Sequence, residues 1–223
     1  MRFLSRLLIS LSCLCLPLSA AWAEAASKPS LVLVGLDLSR SNPLVDDKAY
    51  AARAGQRVAD EIQDLQMKSR VMLRTFGSYD AGSNALKVDE IISARSKPGP
   101  VASGISALVG AVPQLVSEGK LSAQSTTNIV PFLESMSAVV DCNAYDVTII
   151  LLTDGFEDSE YARLARGGSL PKPAAAYAGC HRLMMLGVGQ GGKSPSATRK
   201  LQAEWAGWAE AAGFENFTAL HDW

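Results

Sequence analysis

The chain has 223 residues, 21 of them basic and 22 acidic, for a formal net charge of −1. So even a balance offers no electrostatic case for nucleic acid or an anionic membrane surface as partner. With 48% apolar residues over this length, the sequence suits one domain with a sizeable core.

The first residues predict an export signal rather than part of the fold. Arg2 and Arg6 form a basic start, Leu7 to Leu18 an apolar stretch, and Ala21-Trp22-Ala23 a small-residue site with cleavage before Glu24. Pro17 breaks the apolar stretch, which is too short to span a bilayer. Cys13 and Cys15 leave with the signal. The expected mature chain, residues 24–223, keeps 19 basic and 22 acidic side chains, a charge near −3. It is expected in the periplasm or secreted, with no stable membrane insertion.

Beyond the signal, short β-rich runs alternate with longer segments of helical period, which predicts an α/β fold with a doubly wound, mostly parallel sheet and helices on both faces. Leu31 to Leu36 is a continuous apolar run, as in a strand buried on both sides. Pro43 and Asp46-Asp47 mark the start of a helix whose apolar stripe is Ala51, Ala54, Val58, Ile62 and Leu65. Val71 to Phe76 and Ala85 to Ile92 predict two strands forming an edge hairpin around Tyr79 to Asn84. Ala94 to Pro100 reads as a connection, and the uncharged Val101 to Val116 as a buried helix, bent or restarted at Pro113. A polar loop, Ser122 to Thr127, leads into a helix to about Val140. Asp146 to Thr153 and His181 to Val188 are the next strands. Ser194-Pro195 then caps a helix with the core stripe Leu201, Trp205, Trp208 and Ala212, stopped by Gly213. A short strand within Phe214 to Leu220 closes the chain.

Two cysteines remain in the mature chain, Cys142 and Cys180, each just ahead of a strand. In an oxidising compartment this pair predicts a disulfide tying the starts of two neighbouring strands. A metal pair or reactive thiol would need further soft ligands that the sequence does not supply.

Three loops collect hard oxygen ligands. Asp37, Ser39 and Ser41 follow the first strand, Thr127 ends a polar loop before a helix, and Asp154 follows the strand ending at Thr153. In an open α/β sheet, ligands bind outside the carboxyl ends of the strands where the strand order reverses, so all three loops can meet there. Singly, each residue is an ordinary cap or turn former. Thr126 could take the place of Thr127, a shift of one residue that the sequence leaves open.

In this order, Asp37-Leu38-Ser39-Arg40-Ser41, Thr127 and Thr153-Asp154-Gly155 resemble the von Willebrand factor type A domains with a metal-ion-dependent adhesion site. The resemblance covers most of the mature chain. It implies a magnesium or manganese ion held by Asp37, Ser39, Ser41, Thr127 and Asp154. It also implies binding of a partner protein through an acidic side chain that completes the coordination. Neutral hydroxyls with two carboxylates suit a hard divalent cation that keeps one position open. Two family features do not carry over. Asp46-Asp47 falls two residues late for a second-metal motif and fits a helix cap, and no further helix follows Leu220, which puts a helix-piston switch in doubt.

Enzymatic alternatives are weaker. Gly187 to Ser194, GVGQGGKS, matches the phosphate-loop pattern with Lys193, but Pro195 removes a backbone donor and the motif follows, rather than precedes, the strand ending at Asp154. For a serine hydrolase only His181 and His221 could serve as base, and no G-x-S-x-G is present. A metal-free interaction domain is the third alternative. The expectation is therefore a binding protein and not an enzyme.

Overall fold

The computed structural model describes residues 27–78, 86–192 and 194–223. The expected signal segment and the expected hairpin turn, Tyr79 to Asn84, lie outside the described residues.

Six strands form one sheet: β1 (Ser30–Asp37), β2 (Arg70–Phe76), β3 (Lys87–Ile91), β4 (Asp146–Leu152), β5 (Arg182–Leu186) and β6 (Asn216–Leu220), in the order β3-β2-β1-β4-β5-β6. Every pairing is parallel except β2 with β3, the expected antiparallel edge. From β1 the chain winds outward to β2 and β3, then crosses back to β4 on the other side of β1. The order therefore reverses between β1 and β4, whose register pairs Leu36 with Leu152.

Helices cover both faces, as expected. On one face, Val32, Val34 and Leu36 of β1 pack with Ala51, Ala54 and Val58 of α1 (Lys48–Asp60), with α2 (Pro98–Gly110) and with α3 (Val112–Ser117). On the other, Leu31 and Leu33 pack with Ile129 and Leu133 of α4 (Ile129–Ser137) and with Trp205 and Ala209 of α5 (Pro195–Ala212). Gly35 lets α4 approach β1 closely. A Cβ there would lie 2.7 Å from the Leu151 side chain and 2.9 Å from the ring of Phe132.

Several boundaries differ from expectation. Pro43 opens a short 3-10 turn, Pro43–Val45, and α1 starts only after Asp47, whose carboxylate accepts from the amides of Ala49 and Tyr50 at 2.8 and 2.9 Å. Asp47 is thus a cap, as its spacing suggested. The presumed connection before Val101 is partly helix, because Pro98 and Pro100 occupy the opening turn of α2; proline costs little in a first turn, where its missing N–H has no helical partner. The helix restarts beside Pro113, as expected, with Val112 as the first residue of α3, but α2 is not buried all round. Only Ala102, Ile105 and Val109 are buried, so its lack of charge reflects small residues on a surface helix. α4 ends at Ser137, short of Val140.

Cys142 and Cys180 form the expected disulfide just ahead of the paired strands β4 and β5, with Cα atoms 4.8 Å apart. Among the described residues, no helix is long and apolar enough to cross a membrane.

Candidate metal centre

Asp37 is the last residue of β1, and Asp154 lies just past β4, so the switch point sets two carboxylates side by side. Both are fully buried. The Asp37 carboxylate is used locally: Oδ1 accepts the Ser39 amide at 2.8 Å and Oδ2 the Thr153 hydroxyl at 2.7 Å. The Asp154 Oδ1 accepts the amide of Phe156 at 3.0 Å, whereas its Oδ2 is buried without a hydrogen-bond partner.

Burial, and secondly the charge of Asp154, push the Asp37 carboxyl up to about 7, against the hydrogen bonds from Thr153 and Ser39. Burial likewise raises Asp154, against the Ser41 hydroxyl and the Phe156 amide. The Ser41 hydroxyl lies near enough to favour the charged carboxylate without meeting hydrogen-bond geometry. No cationic side chain among the described residues offsets either group. A buried pair of like charges is costly unless a cation joins it.

The remaining donors surround this pair. The hydroxyls of Ser39 and Ser41 are 3.4 Å apart, the first buried and the second exposed. Thr127 is buried, and its hydroxyl makes no hydrogen bond to a described residue, whereas Thr126 donates to the Gly77 carbonyl at 2.8 Å. That difference separates the two threonines: the Thr126 hydroxyl is committed and the Thr127 hydroxyl is available. Ser39, Ser41 and Thr127 line one cleft of about 720 Å³. All donors are hard oxygens, and their mixture of two carboxylates with three hydroxyls fits a magnesium or manganese ion. Among the described residues no cluster of three or more His, Cys, Asp or Glu side chains could hold a metal, so a cation here would depend on the hydroxyls.

Backbone pairing ties the three loops together. Gln124 donates to Leu38 at 2.7 Å and accepts from Arg40 at 2.9 Å, while Thr127 and Asp158 exchange bonds of 3.2 and 2.9 Å. Three further residues, whose site roles the sequence did not suggest, complete the frame. The Asn42 side chain donates to the carbonyls of Asp37 (2.8 Å) and Leu152 (2.9 Å), pinning the ends of β1 and β4. Glu157 Oε2 accepts the amides of Ile129 and Val130 at 2.8 and 3.0 Å, capping α4 from another loop. Trp205, expected only as core, also donates from Nε1 to the Gly155 carbonyl at 2.8 Å.

The competing constellations look different in three dimensions. Lys193 lies outside the described residues. The amides of Gly187 and Val188 donate to Leu220, that of Gly189 to Asp154, Gln190 to Gly187 and Gly192 to Gly189. These are donors that a phosphate cradle would have to offer to a ligand. His181 stands ahead of β5, beside Asp146 and Glu215 at 3.9 and 3.7 Å, at the end of the sheet away from Ser39. His221 Nδ1 lies 2.9 Å from the Val188 carbonyl.

Neither a family model nor a curated protein sequence matches the chain. Among solved structures, a form of the pilus adhesin SpaC from Lactobacillus rhamnosus GG is 16% identical, with 89% of this chain and 29% of the adhesin covered and a TM-score of 0.50. BatB from Bacteroides thetaiotaomicron is 17% identical over 87% of this chain and 91% of its own, with a TM-score of 0.47. Manganese-loaded TRAP from Plasmodium vivax is 16% identical over 88% and 69%, with a TM-score of 0.45. The chain spans under a third of the adhesin. At such identity the likeness to the adhesin concerns the fold alone, and the two lower scores add nothing to it.

Proposed function

We propose that the chain is a von Willebrand A-like binding protein, not an enzyme, that holds magnesium or manganese at Asp37, Ser39, Ser41, Thr127 and Asp154. The observation that carries the reading is the buried Asp37–Asp154 pair, with a partnerless Asp154 oxygen, beside the hydroxyls of Ser39, Ser41 and Thr127 at the sheet's switch point. A bound cation would supply neutralising charge and an electrophilic position for an outside oxygen. Ser39, Ser41 and Thr127 would ligate it through neutral oxygens, which leaves it attractive to an anion. An acidic group on a partner protein then completes the site.

Export is part of the same reading. The Cys142–Cys180 disulfide suits an oxidising compartment, and Ala21-Trp22-Ala23 suits signal cleavage. Amino-terminal sequencing of protein recovered from the periplasm or medium should begin at Glu24.

Calorimetry with magnesium and manganese tests the site. Wild-type protein should bind one ion, and Asp37→Ala and Ser41→Ala should weaken it at least tenfold. Ser41 is exposed, so its variant should fold normally. Unchanged binding in both variants would remove the proposed centre. Lys193→Ala should leave ion binding intact; a loss of ATP affinity in that variant would favour the phosphate-loop alternative instead.

A further inference from the structure

The cleft beside the centre is far larger than one carboxylate requires. Its volume of about 720 Å³ falls within the roughly 300–1,000 Å³ range of pockets that enclose whole ligands. One end is formed by Ser39, Ser41 and Thr127. Beyond them the floor is apolar, made by Phe156, Leu164 and Leu201, between the segment after β4 and the first half of α5.

The charges on its walls are unequal in availability. Asp158 has Arg163 at 3.6 Å, and Glu204 accepts the amide of Leu170 at 2.8 Å. Arg40 and Lys200, both exposed on the cleft, have no ion-pair partner among the described residues. The walls are also braced before any ligand arrives. Glu204 holds the 156–170 segment to α5, and the Thr127–Asp158 pairing holds it to the metal-centre loops. A braced wall lowers the ordering cost of binding.

We propose that this cleft is a peptide groove: it seats an acidic segment of a partner protein, with one carboxylate at the Ser39, Ser41 and Thr127 end and an adjacent apolar side chain over Phe156, Leu164 and Leu201. Arg40 and Lys200 favour further acidic residues at the rim. The inference rests on the cation-dependent reading above and deepens it, since it specifies the side chain next to the acid.

The test is selection of a phage-displayed random heptapeptide library on the full, disulfide-bonded chain in manganese, with elution by chelator. Ala197→Trp fills the groove from an exposed helix position, and Lys200→Glu reverses charge at the rim. The expected result is a consensus of Asp or Glu beside an apolar residue. The synthetic consensus peptide should lose at least tenfold in affinity in each variant, while both variants bind manganese as wild type. A consensus lacking the apolar neighbour, or an affinity unchanged in Ala197→Trp, overturns the groove and leaves the acidic-group reading standing. Competition by acetate as effective as by the peptide overturns it too. If manganese binds but no chelator-eluted peptide is enriched, both readings fail.

Discussion

The Thr153 hydroxyl donates to Asp37 Oδ2 at 2.7 Å, joining the residue that ends β1 to the one that follows β4 across the switch of strand order. Both side chains are fully buried. The bond orients one Asp37 oxygen while Ser39 holds the other, so the carboxylate is fixed before a cation arrives. Thr153→Val keeps the shape and removes the donor. It should cost about 1–3 kcal/mol of stability, the usual range for a buried acceptor left without its partner. Magnesium affinity should fall with it, because the freed carboxylate can rotate. Chemical denaturation and calorimetry on the same variant check the two effects, and wild-type values in both would show that the bond positions nothing.

Acidity should act on the ion-free protein in the opposite direction to ordinary surface carboxylates. Asp37 is raised from 3.8 to about 7, chiefly by burial and then by Asp154. Between those values the folded chain keeps a proton that the unfolded chain has released. Stability is therefore present in full below the unfolded value and is lost as pH rises through about 7. Asp154 and Glu157, both raised chiefly by burial, add to the same trend. In chelator the melting temperature should fall from pH 5 to pH 8, and magnesium should raise it more at pH 8, where Asp37 is ionised. Asp37→Asn should flatten the chelator curve. A melting temperature that climbs over this range in chelator contradicts the assignment.

The choice between the two threonines is open to a direct comparison. Thr126 spends its hydroxyl on the Gly77 carbonyl, while Thr127 faces the cleft with its hydroxyl unbonded among the described residues. Thr127→Val should weaken magnesium or manganese binding about tenfold or more with little loss of stability. Thr126→Val should do the reverse, costing about 0.5–1.5 kcal/mol for the lost bond to the Gly77 carbonyl and leaving ion affinity near wild type. If the Thr126 variant is the one that loses the ion, the loop register must be shifted by a residue.

That comparison also marks where the sequence stopped being informative. Asp37 and Asp154 were legible because buried parallel strands are continuous apolar runs, and each run here stops beside an aspartate. Ser39 and Ser41 were legible by their spacing from Asp37. The Thr126 or Thr127 choice depends on which hydroxyl the Gly77 carbonyl takes, a contact across 49 residues. Asn42 and Glu157 act over 110 and 28 residues, so no local pattern marks them. α2 was misjudged for a local reason: proline both breaks helices and opens them, and Pro98 does the second.

The disulfide and the candidate metal centre occupy opposite ends of the same sheet, which makes their contributions separable. Cys142 and Cys180 lie ahead of β4 and β5, whereas Asp37 ends β1 and Asp154 lies just past the carboxyl end of β4. Closing a separation of 38 residues should stabilise the fold by about 4 kcal/mol through the smaller entropy of the unfolded chain. Cys180 is fully buried, so replacement by serine would add a polar cost, and alanine is the cleaner substitution. The double variant Cys142→Ala with Cys180→Ala should unfold at markedly lower denaturant concentration. Below that transition it should bind magnesium with wild-type affinity, because β4 reaches the centre with its register to β1 intact. A large loss of ion affinity in the still-folded double variant would mean that the bridge positions β4 along its whole length, and that the two ends of the sheet are mechanically coupled.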